Sequence, residues 1–152
     1  MRYGIVDLEW LLDYEIRGCM RSRNSASLVM FASEREAAHI RRLLEGTIRN
    51  SDELFELASC YAILMGHTPG HEALRAVSRY QAATASMVDL RFGVASYPQD
   101  GKDSAEIVAA ALRYLWMARG MDRGAVVFGG AQTGAPVQAE AAANTDKVGD
   151  KK

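Results

Sequence analysis

Apolar and polar positions along this chain follow two periods, and the switches between them mark its elements. Ile5, Leu8, Leu12 and Ile16 recur at helical spacing and predict a helix over residues 5–22. Ser27-Leu28-Val29-Met30-Phe31 is a short, nearly continuous apolar run, the pattern of a buried strand. A second helix is predicted over 34–49, where Ala37, Ile40, Leu44 and Ile48 form one stripe and Arg35, His39, Arg42 and Arg49 lie outside it. Ser33 and Glu36 stand three apart, as in a capping box for that helix. Residues 53–57 and 60–65 read as two strands joined by a tight turn at Ala58-Ser59. Pro69 opens a third helix that runs to about Ala82, with Ala73, Leu74 and Val77 inward and Arg75 and Arg79 four apart on another face. Leu90, Phe92 and Val94 alternate along a strand over 89–97, and Pro98-Gln99-Asp100-Gly101 is a turn. Asp103 or Ser104 caps a helix over 105–119, and 125–128 closes as a last strand. The sequence of elements predicts an α+β fold, a central mostly antiparallel sheet flanked by helices.

Composition changes after Phe128. Residues 129–152 hold almost no large apolar side chain and bury too little surface to offset the entropy of ordering them, which predicts a disordered tail behind one domain over 1–128. Gly129-Gly130 reads there as plain linker. With 152 residues, 49% of them hydrophobic, the chain is large enough for one real core. Its net charge of −1 gives no global case for nucleic-acid binding. No apolar run reaches the roughly 18 residues of a membrane span, and Asp7 comes too early for a secretory signal, so a cytoplasmic protein is expected. Cys19 and Cys60 lie far apart in no metal-binding spacing and are expected to stay reduced. His67 and His71 straddle Pro69-Gly70 and share no helix face, and His39 adds no third ligand, so no metal site is expected.

Several of these segments resemble a known family in order and spacing. Phe92-Gly93-Val94-Ala95-Ser96-Tyr97-Pro98, then Asp100-Gly101, then a helix ending Leu115-Trp116-Met117-Ala118-Arg119, is similar to the closing third of GGDEF domains, the diguanylate cyclase family. Tyr14-Glu15-Ile16-Arg17 through Phe31 resembles that family's lead helix and first strand, so the similarity spans roughly residues 6–128. Tyr61-Ala62-Ile63-Leu64-Met65 resembles the strand that follows its signature. The signature itself is missing. Leu57-Ala58-Ser59-Cys60 contains no carboxylate and no paired glycine, and Phe31 is followed by Ala32-Ser33-Glu34 instead of a metal-binding aspartate. The interval from Phe31 to Ile48 is also shorter than the family's, so one helix and the guanine-binding loop are expected to be absent. Phosphoryl transfer of this kind needs carboxylates to hold Mg²⁺ against a triphosphate. The resemblance, with these departures, implies a catalytically inactive domain that needs no cofactor.

The same resemblance implies a ligand. In the family an RxxD motif just before the signature hairpin binds cyclic di-GMP, and Arg49-Asn50-Ser51-Asp52 falls at that place. Arg79 stands about where a supporting arginine comes from the next helix, with Arg75 as the alternative register. The residue types suit guanine. An arginine fork donates to O6 and N7, a carboxylate accepts from N1–H and the 2-amino group, and a second arginine pairs with phosphate or stacks on a base. A plainer origin competes with this reading, because arginine is favoured at a helix C-terminus and aspartate in a turn. The leading expectation is a cyclic di-GMP receptor that signals to an effector protein. The alternatives are a nucleotide-independent interaction module or homodimer, using Leu8, Trp10, Leu11 and Leu12 unless these pack into the core, and a residual enzyme acting on GTP.

Overall fold

The computed structural model describes residues 2–33, 37–84 and 86–129. A single six-stranded sheet carries helices on both faces. Its strands are β1 (Arg2–Tyr3), β2 (Ala26–Ala32), β3 (Asp52–Glu56), β4 (Tyr61–Met65), β5 (Arg91–Tyr97) and β6 (Val126–Phe128), and its helices are α1 (Ile5–Ser22), α2 (Ala37–Leu44), α3 (Gly70–Thr84) and α4 (Ser104–Arg119). The strand order is β1-β3-β4-β2-β5-β6. The inner pairs β3–β4, β4–β2 and β2–β5 are antiparallel, and the outer pairs β1–β3 and β5–β6 are parallel. This is the expected α+β architecture with a mostly antiparallel centre.

The continuous apolar run of β2 follows from burial on both faces. Val29 and Phe31 point into the core under α2 and α3, with Ile40, Leu44, Val77 and Tyr80. Leu28 and Met30 point into the core under α1 and α4, with Leu8, Leu12, Ile16, Ile107 and Leu115. Leu8 and Leu12 therefore belong to the core, whereas Trp10, between them in sequence, is exposed. The motif on β5 has a packing reason. A Cβ at Gly93 would stand 2.6 Å from the Ala111 carbonyl oxygen, so only glycine admits α4 this close to the sheet. The following turn is held by Asp100, whose carboxylate accepts from the Ser96 N–H at 2.8 Å and the Tyr114 hydroxyl at 2.8 Å. Asp103 caps α4, accepting from the Glu106 N–H at 2.9 Å.

Four boundaries differ from the sequence reading. Helix α2 ends at Leu44 instead of running to Arg49, because Gly46 adopts φ +91 and Thr47 turns its N–H and hydroxyl back onto the Leu44 carbonyl. Glu36, half of the expected capping box, lies outside the described residues. Pro69 sits just before the first residue of α3, and its carbonyl accepts the first helical bond, from Ala73. Strand β1 is an edge addition of two residues made through backbone pairing, too short to leave a side-chain pattern. At the other end, Gly129 is buried against the Asp100 carboxylate and belongs to the folded unit. The rest of the expected tail, 130–152, lies outside the described residues.

Candidate functional site

The RxxD turn and the β3–β4 hairpin tip occupy opposite ends of one hairpin, separated by five residues of strand, about 16 Å.

At the first end, the chain leaves α2 through Gly46 and Thr47, and a turn closes with the Asp52 N–H donating to the Arg49 carbonyl at 3.0 Å. Asp52 is the first residue of β3, so its backbone is fixed by the sheet while Arg49 projects from the turn ahead of it. Both residues line one open cavity of about 400 Å³, together with Asn50, Ile48 and Glu53. Arg49 is exposed and Asp52 is only 9% exposed. Arg49 lies beyond the last turn of α2, where the helix dipole has faded, whereas Asp52 closes the turn from Arg49 and is at the same time a buried strand residue with no ion pair within 4 Å among the described residues. Burial pushes the Asp52 carboxyl up from the ordinary aspartate value, while a backbone hydrogen bond with Arg49 and the charges of Arg49 and Arg79 pull it partly back.

Arg79 reaches this site from α3. It is half-buried, its guanidinium donates to the Thr47 carbonyl at 3.4 Å, and it lies 6.0 Å from the centre of the Tyr80 ring. Arg75 is exposed one turn earlier, and no such contact ties it to the site. Arg79, not Arg75, is therefore the register brought to the RxxD turn. Tyr80, which the sequence did not mark, is buried with no exposure, and its hydroxyl has no hydrogen-bond partner among the described residues. Burial and the Asp52 charge push the Tyr80 hydroxyl's pKa well above the ordinary tyrosine value, which places the hydroxyl in the field of that carboxylate. A satisfied-looking apolar stripe on α3 gives no hint of this, since tyrosine at a core position reads as packing.

At the second end, residues 57–60 form the hairpin tip, with the Leu57 N–H donating to the Cys60 carbonyl at 2.8 Å. A cavity of about 600 Å³ opens there between the end of β2, the tip and the end of α4. Its described lining holds Ser33, Ser59 and three arginines, Arg91, Arg119 and Arg123, against a single carboxylate, Asp89. Asp89 is committed. It pairs with Arg91 at 2.9 Å and accepts from the Gly124 N–H at 3.1 Å. Arg91 also donates to the Arg119 and Met121 carbonyls, each at 2.8 Å, which fastens the end of α4 to β5. Cys60 is 6% exposed, and burial pushes its thiol up, so it is protonated at neutral pH and a poor ligand or nucleophile. Mg²⁺ takes several hard oxygen ligands, and this donor set among the described residues does not fit it.

No protein-family model matches the sequence, and no curated protein is detectably similar to it. Solved structures are similar in fold. The GGDEF domain of TpbB (YfiN) from Pseudomonas aeruginosa superposes with a TM-score of 0.73 at 20% identity, over 84% of this chain and 90% of that one. The active GGEEF domain of a diguanylate cyclase from Vibrio cholerae gives 0.74 at 13% identity, over 84% and 97%. The diguanylate cyclase SiaD of Pseudomonas aeruginosa, solved with its activator SiaC, gives 0.74 at 18% identity, over 83% and 58%. No helix among the described residues is long and apolar enough to cross a membrane. With its element order, its strand pairing and these superpositions in agreement, the chain is a GGDEF-like domain in fold.

Proposed function

We propose that this domain is a catalytically silent GGDEF-like module that binds cyclic di-GMP at Arg49 and Asp52, with Arg79 in support, and passes that state to a protein partner. The observation that carries the reading is a buried carboxylate that lines an open cavity with Arg49, with Arg79 near enough to act on its ionisation. Burying an aspartate without a close ion pair is unfavourable, and a ligand that donates two hydrogen bonds to it removes the penalty. Asp52 accepts from the N1–H and 2-amino groups of one guanine. Arg49, exposed and lining the same cavity, donates to the O6 and N7 edge of the other base or to phosphate. Arg79 adds positive charge behind them while anchoring the turn through Thr47. The cavity of about 400 Å³ suits one nucleotide half of the ligand, with the remainder lying over the open rim.

Silence in catalysis is the second part of the reading. The hairpin tip offers Ser59 and a protonated Cys60, and among the described residues that line the cleft beside it the one carboxylate, Asp89, is already paired with Arg91. Incubation with GTP and Mg²⁺ or Mn²⁺ is expected to give no cyclic dinucleotide; accumulation of product would refute this part alone. Calorimetry with cyclic di-GMP tests the first part. Saturable binding that Arg49→Ala weakens supports it, and no heat at high ligand concentration overturns it.

A nucleotide-independent homodimer has one specific observation in its favour. Val6, Trp10 and Tyr14 form an exposed stripe at four-residue spacing on α1, with the Trp10 and Tyr14 rings stacked at 6.4 Å. Light scattering over a range of concentrations discriminates it: a monomer at every concentration removes this reading.

A further inference from the structure

Helix α1 turns two different faces to its surroundings. Leu8, Leu12, Ile16 and Cys19 are buried against the sheet. On the opposite side Asp7, Trp10, Tyr14, Arg17 and Arg21 are all exposed, and their spacing alternates three and four. That is the seam of a helix that packs along a second helix. Trp10 is 67% exposed and Tyr14 56% exposed, and a row of such rings in water marks an interaction face. The charges of the seam are sorted by end, with acid at the start and base at the finish. Among the described residues no ion pair claims Asp7, Arg17 or Arg21. The other acids of α1, Glu9, Asp13 and Glu15, are half-buried beside the seam, and Asp13 accepts from the Ser104 N–H at 3.3 Å. The helix dipole favours the signs at Asp7 and Arg21, but it gives no reason for two stacked rings in water between them.

We propose that α1 pairs antiparallel with α1 of a second copy of this chain, about a two-fold axis beside Leu12. That axis is equally far from Trp10 and Tyr14, so Trp10 of each copy meets Tyr14 of the other and the rings close over one another. It is equally far from Asp7 and Arg17, so each end of the seam carries an ion pair between copies, and Arg21 flanks the same carboxylate one turn on. Charge selects this occupant. In a parallel pair Asp7 would face Asp7, Arg17 would face Arg17 and Arg21 would face Arg21, and like charges at facing positions repel. Reversing one helix brings opposite signs together at both ends. A uniformly acidic or basic partner would match one end of the seam and be repelled at the other. A face that complements itself when reversed is matched by its own copy, as an isologous two-fold interface requires. This pairing rests on the homodimer reading and gives it an interface and an orientation; it is independent of what binds at the RxxD turn.

Sedimentation velocity of the full chain, from micromolar to millimolar concentration, tests the pairing. A concentration-dependent dimer is expected, and Trp10→Ala is expected to weaken it by about tenfold or more. Asp7→Arg is expected to weaken it by about tenfold, because the two-fold axis repeats each lost contact. The double variant Asp7→Arg/Arg17→Asp is expected to recover most of that loss. Circular dichroism of each variant separates lost association from lost fold, and Tyr14→Ser repeats the aromatic loss if Trp10→Ala does not fold. A dimer unmoved by Trp10→Ala overturns the α1 pairing and leaves the homodimer reading standing. So does a dimer unmoved by Asp7→Arg, the outcome of a parallel pair, or a double variant no better than the single one. A monomer at every concentration overturns both. A monomer that sediments with phosphatidylcholine–phosphatidylglycerol vesicles and loses them in Trp10→Ala also overturns both, and assigns the row to a membrane surface.

Discussion

The two ends of the β3–β4 hairpin have taken opposite courses. At the strand start, a carboxylate is kept in a buried place that is expensive for it, with two arginines near enough to act on its ionisation. At the tip, carboxylates are absent from residues 57–60, and arginines accumulate around serine and cysteine instead. The aspartate at one end is buried with a backbone hydrogen bond and no close ion pair among the described residues, while a tryptophan, Trp116, stands in water at the other. The contrast teaches that the residues at the two ends of the hairpin can vary separately, since each set is local and the sheet needs neither for its core.

The largest expected effect separates the two ends. Arg49→Ala is expected to weaken cyclic di-GMP by about tenfold or more, because one charge-assisted contact contributes about 1.5–3 kcal/mol. Arg119→Ala, at the other end, is expected to leave that affinity unchanged. Calorimetry on both variants checks this, and equal losses would erase the comparison.

The second expectation concerns pH. In the proposed complex Asp52 meets guanine as a carboxylate, and burial holds its folded-state pKa above the ordinary aspartate value. Affinity is therefore expected to fall with decreasing pH earlier than an exposed aspartate would allow. Isothermal titrations across the mildly acidic range measure the onset, and Asp52→Asn is expected to abolish the dependence together with most of the binding.

Stability should move the other way. A carboxyl whose folded-state value is raised binds its proton more tightly in the native state. The protein therefore gains stability as the pH falls from above that value towards the ordinary aspartate value, and loses it as the pH rises through the same window. At neutral pH, Asp52→Asn is accordingly expected to stabilise the unliganded domain by about 1 kcal/mol, seen as a higher urea midpoint. Destabilisation would mean that Asp52 is a structural residue and not one kept for a ligand.

The smallest effect lies at Tyr80. Its hydroxyl is buried without a partner among the described residues, so Tyr80→Phe removes an unsatisfied group without opening a cavity. A gain of up to about 1 kcal/mol is expected in thermal or urea unfolding. Weaker cyclic di-GMP binding in the same variant would sharpen the comparison, by showing that the hydroxyl helps to place Asp52 in the complex.

Most of the architecture could be read directly from the chain. The apolar periods of α1, β2, β5 and α4 are strong because these elements bury whole faces, and burial is what writes a period into a sequence. Gly93 and Asp100 were legible as parts of a motif, though their reason, a helix seated on bare backbone and a turn tied to Tyr114, needed the packing. The end of α2 was misjudged because Ile48 continues the helical stripe after Gly46 has already turned the chain, and a period cannot register a backbone torsion. For the site, Arg49, Asp52 and Arg79 were named in advance, but their relation was not. That Asp52 is buried, that Arg79 instead of Arg75 meets the turn, and that Tyr80 lies beneath depend on how α3 sits against the start of β3. The chain alone determined which residues were present and absent, because the chemistry of a missing carboxylate does not depend on folding. Only the tertiary structure decided which charges share a field, because electrostatic coupling falls with distance in space, and residues thirty apart in sequence carry no local record of their meeting.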